Sequence, residues 1–146
     1  QKGKTQLEYN RRYYQEILDV VKAYKDYSIL GHLDVIKRYD LNGEIELEKI
    51  KDLIEQIFEV VIADGKGIEL NTSSRAYHLK SLMPSREILE LYHDMGGKII
   101  TIGSDAHNAD RVGDRVMESQ KILKEIGFNG IYTFDQMKPK FHEFKF

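Results

Sequence analysis

The 146 residues carry 22 Lys and Arg against 24 Asp and Glu, a formal net charge of −2, so the charge balance leaves no footprint of nucleic-acid binding. With no cysteine in the chain, a disulfide framework, a zinc finger and a thiol nucleophile are excluded. At 41% hydrophobic and 32% charged the chain suits one domain with its own core; no apolar run approaches a membrane span and no signal peptide is visible, which makes the cytoplasm the expected compartment.

In chain order, Thr5 to Tyr27 places Leu7, Tyr14, Ile17, Leu18, Val21 and Tyr24 at helical spacings, with charge on the opposite face. A short strand, Ser28 to Gly31, then delivers His32-Leu33-Asp34, and the glycine lets backbone or ligand approach closely. Taken alone, His32 reads more readily as a hydrogen-bonded structural histidine than as a ligand. After a polar loop over 37–43, Glu44 to Asp64 carries Ile50, Leu53, Ile54, Ile57, Phe58, Val61 and Ile62, the cleanest helical stripe in the chain, closed at Asp64-Gly65. The strand Ile68 to Asn71 follows. Its Glu69 suits a barrel interior, a site or a satisfied edge position. Asn71, Thr72, Ser73, Ser74 and Arg75 at its end suit either an oxyanion such as phosphate or an ordinary Ser/Thr-rich turn.

Residues 76–83 read as an irregular loop, and Pro84 as the first residue of a helix with Ile88, Leu89, Leu91, Tyr92 and Met95 on its buried face. The run Ile99-Ile100-Thr101-Ile102 has the β-branched composition of a buried strand and stops at Gly103. Asp105 and His107 follow, two residues apart, where parallel α/β folds place their chemistry. Both side chains suit divalent first-row metals; the competing reading has Ser104 or Asp105 cap the next helix and leaves His107 in solvent. Val112 to Ile126 marks that helix, Gly130 to Phe134 a last strand, and Lys138 to Phe146 a basic, aromatic packing segment.

Strands near residues 29, 68, 99 and 130 recur at roughly the βαβ spacing of a parallel sheet. Four strands fall short of a closed barrel of about eight, leaving a small open sheet or the back half of a larger barrel. A chain that opens on a helix at Gln1, with no strand before it, favours the second.

Three motifs in this order carry a resemblance: Gly31-His32-Leu33-Asp34-Val35-Ile36-Lys37-Arg38-Tyr39, Ile68-Glu69-Leu70-Asn71-Thr72-Ser73 and Ile102-Gly103-Ser104-Asp105-Ala106-His107. Together they resemble the C-terminal part of the polymerase-and-histidinol-phosphatase (PHP) family, in its histidinol-phosphate phosphatase branch. The resemblance implies an α/β fold, part of a distorted (β/α)7 TIM-like barrel with about four parallel strands and their helices, residues 1–146 forming a single partial PHP domain. It implies a site at the C-terminal strand ends with up to three divalent metal ions, zinc, manganese or iron. The implied activity is hydrolysis of L-histidinol phosphate in histidine biosynthesis.

Carried over by position, His32, Asp105 and His107 are implied as catalytic metal ligands, each serving a different ion; Asn71, Ser73 and Arg75, from the oxyanion-suited cluster, are the candidate phosphate contacts. Clustered divalent ions would supply hydroxide and clamp the phosphate oxygens, so no protein nucleophile is needed. Asp34 would orient a ligand, cap a turn or pair with Arg38. The family's earlier H-x-H motif has no counterpart in residues 1–31, which contain no histidine, and the family's phosphate-binding arginine falls at Ala76, with Arg75 displaced by one. One ligand per ion holds a cluster poorly. The expectation is therefore an incomplete piece of a phosphatase, weakly active or inactive by itself, that self-associates through exposed half-barrel edges. The alternatives are a non-catalytic PHP-derived interaction module and a PHP phosphoesterase for another small phosphate ester.

Overall fold

In a computed structural model, which describes residues 2–146, the first helix α1 (Gln6–Ala23) begins at a capping box: Thr5 Oγ1 accepts from the Glu8 amide at 3.1 Å and the Glu8 carboxylate accepts from the Thr5 amide at 2.8 Å. Tyr14, Leu18 and Val21 form its buried stripe against α2 (Lys51–Ala63), which contributes Leu53, Ile54, Ile57, Phe58 and Val61. Leu7 and Tyr24 fall outside that stripe and are exposed. The second helix starts later than its apolar pattern predicts. Residues 44–46 are irregular and Leu47–Lys49 forms a 3-10 turn, although Ile45 and Ile50 are both buried. Burial there is achieved without regular helix, so an apolar count overestimates helix length.

Three strands, β1 (Ile29–Leu30), β2 (Gly67–Asn71) and β3 (Ile100–Gly103), form a parallel sheet in that spatial order. Leu30 lies opposite Ile68, and Asn71 lies opposite Gly103, so the three C-terminal ends share one edge of the sheet. Ile68, Leu70 and Ile100 are completely buried under α2 and α3 (Arg86–Asp94), with Phe58 and Tyr92 in edge-to-face contact at 5.1 Å. Tyr92 also donates its hydroxyl hydrogen to the Ile99 carbonyl at 2.8 Å, so the largest ring in this layer leaves no polar atom unpaired.

The fourth expected parallel strand is a correction. The segment β4 (Gly130–Asp135), which follows α4 (Val116–Ile126), pairs antiparallel with β5 (Lys138–Glu143). The segment expected to be packing tail is thus a strand. Gln136 and Met137 both take positive φ, 48° and 62°, the two-residue turn geometry whose twist matches a hairpin. A partner two residues away closes at far lower entropic cost than one thirty residues back, and strand spacing carries no information about that competition. Pro139 is tolerated because β5 is an exposed outer strand. Among the described residues the fold is therefore α/β with three parallel strands and one hairpin. No helix among them is long and apolar enough to cross a membrane.

Candidate functional site at the strand tips

The backbone leaves each strand end in a different way. After β1, Gly31 and His32 turn the chain into a 3-10 turn, Val35–Arg38. After β2, Asn71 accepts from the Ser73 amide with its side chain and starts a second 3-10 turn, Thr72–Tyr77. After β3 no helix follows at once: residues 104–115 are loop apart from a single turn at Ala109–Arg111. Ser104 and Asp105 therefore cap no helix. Ser104 Oγ instead accepts from the Gly113 amide at 3.4 Å across the loop.

Glu69 links the tips. Its Oε2 accepts from the His32 amide at 3.0 Å and from Asn71 Nδ2 at 3.3 Å. The carboxylate lies over Gly103, where any Cβ would collide with Oε1, so only glycine at the end of β3 leaves room for it. Of the three placements open to Glu69 in the sequence, the structure gives it a position within the site. Asn71 Oδ1 accepts in turn from the Ser73 amide at 3.0 Å and the Ser73 hydroxyl at 2.6 Å, and Ser73 Oγ accepts from Arg38 Nη2 at 3.4 Å. A continuous polar chain thus runs from the Arg38 guanidinium through Ser73, Asn71 and Glu69 to the backbone of His32. Asn71 and Ser73 are buried, as is Thr72, whose hydroxyl donates to the Asp114 carbonyl at 2.7 Å and ties this turn to the loop after β3.

His32 and Asp105 both sit at positive φ, 28° and 48°. Backbone of this kind costs on the order of 1–3 kcal/mol per residue and gathers at functional sites. Two expected ligands on two different strand ends share it. His107 accompanies them in the loop, its Nδ1 2.9 Å from the Asp105 carbonyl. Because a carbonyl only accepts, Nδ1 carries the hydrogen and Nε2 keeps its lone pair for an electrophile. All three side chains are exposed.

Asp34 takes a role the sequence did not show. It neither caps the 3-10 turn nor pairs with Arg38: its Oδ2 accepts from Lys37 Nζ at 2.8 Å and from the Ser85 amide at 3.0 Å. Lys37 is equally buried and also donates to Ser81 Oγ at 2.8 Å and to the Leu82 carbonyl, pinning the loop before α3 to the end of β1. Burial pushes the Asp34 carboxyl above its ordinary range, with the adjacent ammonium pulling it down. Tyr13 donates its hydroxyl to the Leu33 carbonyl at 2.8 Å, a further tie on the His32 segment.

Of the residues expected to meet phosphate, Asn71 and Ser73 lie in the polar chain; Arg75 is exposed and takes no part in it. The guanidinium that does join the chain is Arg38, read from sequence only as a partner for Asp34. It forms no ion pair among the described residues, its Nε is buried without a partner, and Tyr77 covers its face. No sequence pattern signals an arginine left without a carboxylate. His78 is exposed in the following loop, at the left-handed end of the 3-10 turn.

The donor types at the tips suit a divalent cation, but the set is short. Among the described residues no three His, Cys, Asp or Glu side chains come together in a way that could hold a metal ion, and a stable site takes three or four protein ligands. These residues by themselves do not close a metal site.

A parallel α/β sheet with carboxylate, imidazole and guanidinium groups at the C-terminal ends of its strands has the architecture that places ligand sites at that edge. Residues 1–73 match the PHP domain, and the chain belongs to that family. It is 35% identical to the probable histidinol-phosphatase of Thermotoga maritima over 118 residues, 81% of this chain and 48% of that protein. It is 30% identical to the histidinol-phosphatase of Lactococcus lactis over 138 residues, 92% of this chain and 51% of that one. The crystal structure of histidinol phosphate phosphatase from Lactococcus lactis, complexed with zinc, L-histidinol and phosphate, superposes with a TM-score of 0.80 at 27% identity, covering 95% of this chain and 53% of that one. The chain spans about half the length of the curated relatives it matches.

Proposed function

We propose that the chain supplies one part of a metal-dependent phosphomonoesterase centre that hydrolyses L-histidinol phosphate in histidine biosynthesis, residues 1–146 forming a portion of a TIM-like PHP barrel. The observation that carries the reading is the edge shared by His32, the Glu69–Asn71–Ser73–Arg38 chain and the Asp105–His107 loop. The Lactococcus lactis enzyme, in complex with zinc, L-histidinol and phosphate, supplies the chemical class.

In this reading His32, Asp105 and His107 are metal ligands, with zinc, manganese or iron as the candidates. A complete ligand set would bring the ions' usual contribution, activation of water and neutralisation of phosphate charge. The chain's own residues do the positioning. Glu69 fixes the His32 backbone, the Asp105 carbonyl sets the His107 tautomer, and Arg38, with Asn71 and Ser73 behind it, offers in-plane N–H donors to phosphate oxygens. Arg75 approaches phosphate only if it swings in from solvent.

Because the donors present do not close a metal site, the chain alone is a poor catalyst. Phosphate release from L-histidinol phosphate with added zinc or manganese should be slow, and abolished in Asp105→Asn. Robust turnover by the 146-residue chain would contradict the partial-site reading; a residual rate indifferent to Asp105 would contradict the site. Self-association through exposed half-barrel edges belongs to the same reading, and light scattering at increasing concentration should show it.

A further inference from the structure

Two 3-10 turns, one after β1 and one after β2, meet at Arg38, which touches Ser73 and Tyr77 of the second turn. Arg38, the last residue of the first, places its guanidinium carbon 3.4 Å from the ring centroid of Tyr77, the last residue of the second. The Tyr39 ring is also near, 6.0 Å from the same carbon. Tyr77 is 41% exposed, so its ring is not held in place by a core. Next to it the chain reverses through His78 at φ 56°.

We propose that Tyr77 is a positioning residue that holds the Arg38 guanidinium for an oxyanion, which rests on the phosphate-site reading above. A π face attracts the guanidinium perpendicular to its plane, whereas hydrogen bonds to an oxyanion run within that plane. Stacking therefore fixes the orientation of the fork without consuming its donors. A carboxylate partner would fix it too, but would neutralise the charge and occupy the N–H groups. Among the described residues Arg38 has no such partner. Its one hydrogen bond to them is the 3.4 Å contact from Nη2 to Ser73 Oγ, and its Nε is buried and unpaired. The charge and most of its donors stay available, while Ser73 and Tyr77 limit where they point.

The experiment is titration of the 146-residue chain with inorganic phosphate, chelator present, followed by the Arg38 Nε–Hε NMR signal together with ³¹P line shape. Wild type should respond saturably and Arg38→Gln should not. Tyr77→Leu, which keeps bulk and loses the π face, should weaken binding about two- to five-fold. It should also remove the ring-current shift of the Arg38 signal. Tyr77→Phe should restore both to wild-type values, which a merely space-filling role does not require. If Arg38→Gln binds phosphate like wild type, or wild type gives no saturable response, the phosphate-site reading fails and the role of Tyr77 with it. If Arg38→Gln loses binding while Tyr77→Leu keeps it, the site stands and the positioning role is overturned. Equal loss in Tyr77→Phe and Tyr77→Leu also overturns it, assigning the effect to the hydroxyl.

Discussion

The two sides of the strand-tip edge are built differently. On the β1 and β2 side side-chain hydrogen bonds fix the direction of the main polar groups: Glu69 holds His32, Asn71 holds Ser73, and the buried Asp34–Lys37 pair and Tyr13 hold the turn between them. On the β3 side, the exposed Asp105 and His107 are tied chiefly to each other, through one backbone carbonyl. One half is preorganised by folding; the other presents ligands whose geometry is left to whatever they bind. The difference teaches that stability should respond chiefly to mutation on the β1 and β2 side, while ligands on the β3 side can be changed at little cost to folding.

The largest stability effect should come from Asp34→Ala, which removes the buried carboxylate at 2.8 Å from Lys37 and leaves that buried ammonium only the more exposed Glu44, at 3.5 Å. A loss of about 3–5 kcal/mol is expected, read as a lower urea midpoint. Glu69→Ala should follow, at about 0.5–1.5 kcal/mol per hydrogen bond lost, because the His32 amide and Asn71 Nδ2 lose their acceptor; Gly103→Ala should mimic it by displacing the same carboxylate. If either leaves the urea midpoint unchanged, Glu69 does not organise the tips.

Tyr13→Phe should cost about 0.5–1.5 kcal/mol by orphaning the Leu33 carbonyl. It also sharpens the comparison through pH. Burial raises the Tyr13 phenol above its ordinary 10.0, as it does for Tyr92. The folded state then keeps protons that the unfolded chain releases, so stability falls as pH rises above about 10. Tyr13→Phe should make that alkaline decline shallower in urea melts at stepped pH. The smallest effect belongs to the β3 side: Asp105→Asn in chelator should stay within about 0.5 kcal/mol of wild type.

Periodicity made much of this legible. The α2 stripe, the β-branched run before Gly103 and the histidine and acid after strand ends are all one-dimensional signals, and each corresponds to an element or a tip in the fold. Long-range choices were not legible. His32 and Glu69 are 37 residues apart, and nothing in either motif states that a carboxylate on one strand receives an amide from the next. The partner of β4 is not written in the spacing: thirty-residue spacing describes connection length, while the tight turn after β4 sets its pairing with β5. Arg38 is illegible for a related reason: its significance lies in lacking a carboxylate among the described residues, and Asp34, its obvious partner in sequence, is taken by Lys37.

The account rests on His32 and His107 being ligands of one metal-binding edge. Zinc titration of the chain, followed by the imidazole signals of all five histidines, tests this most directly. The account predicts that His32 and His107 respond at the lowest zinc concentrations, that Asp105→Asn weakens both responses, and that His78, His93 and His142 do not move in that range. Responses that begin at those three, or a His107 signal indifferent to Asp105, would contradict it.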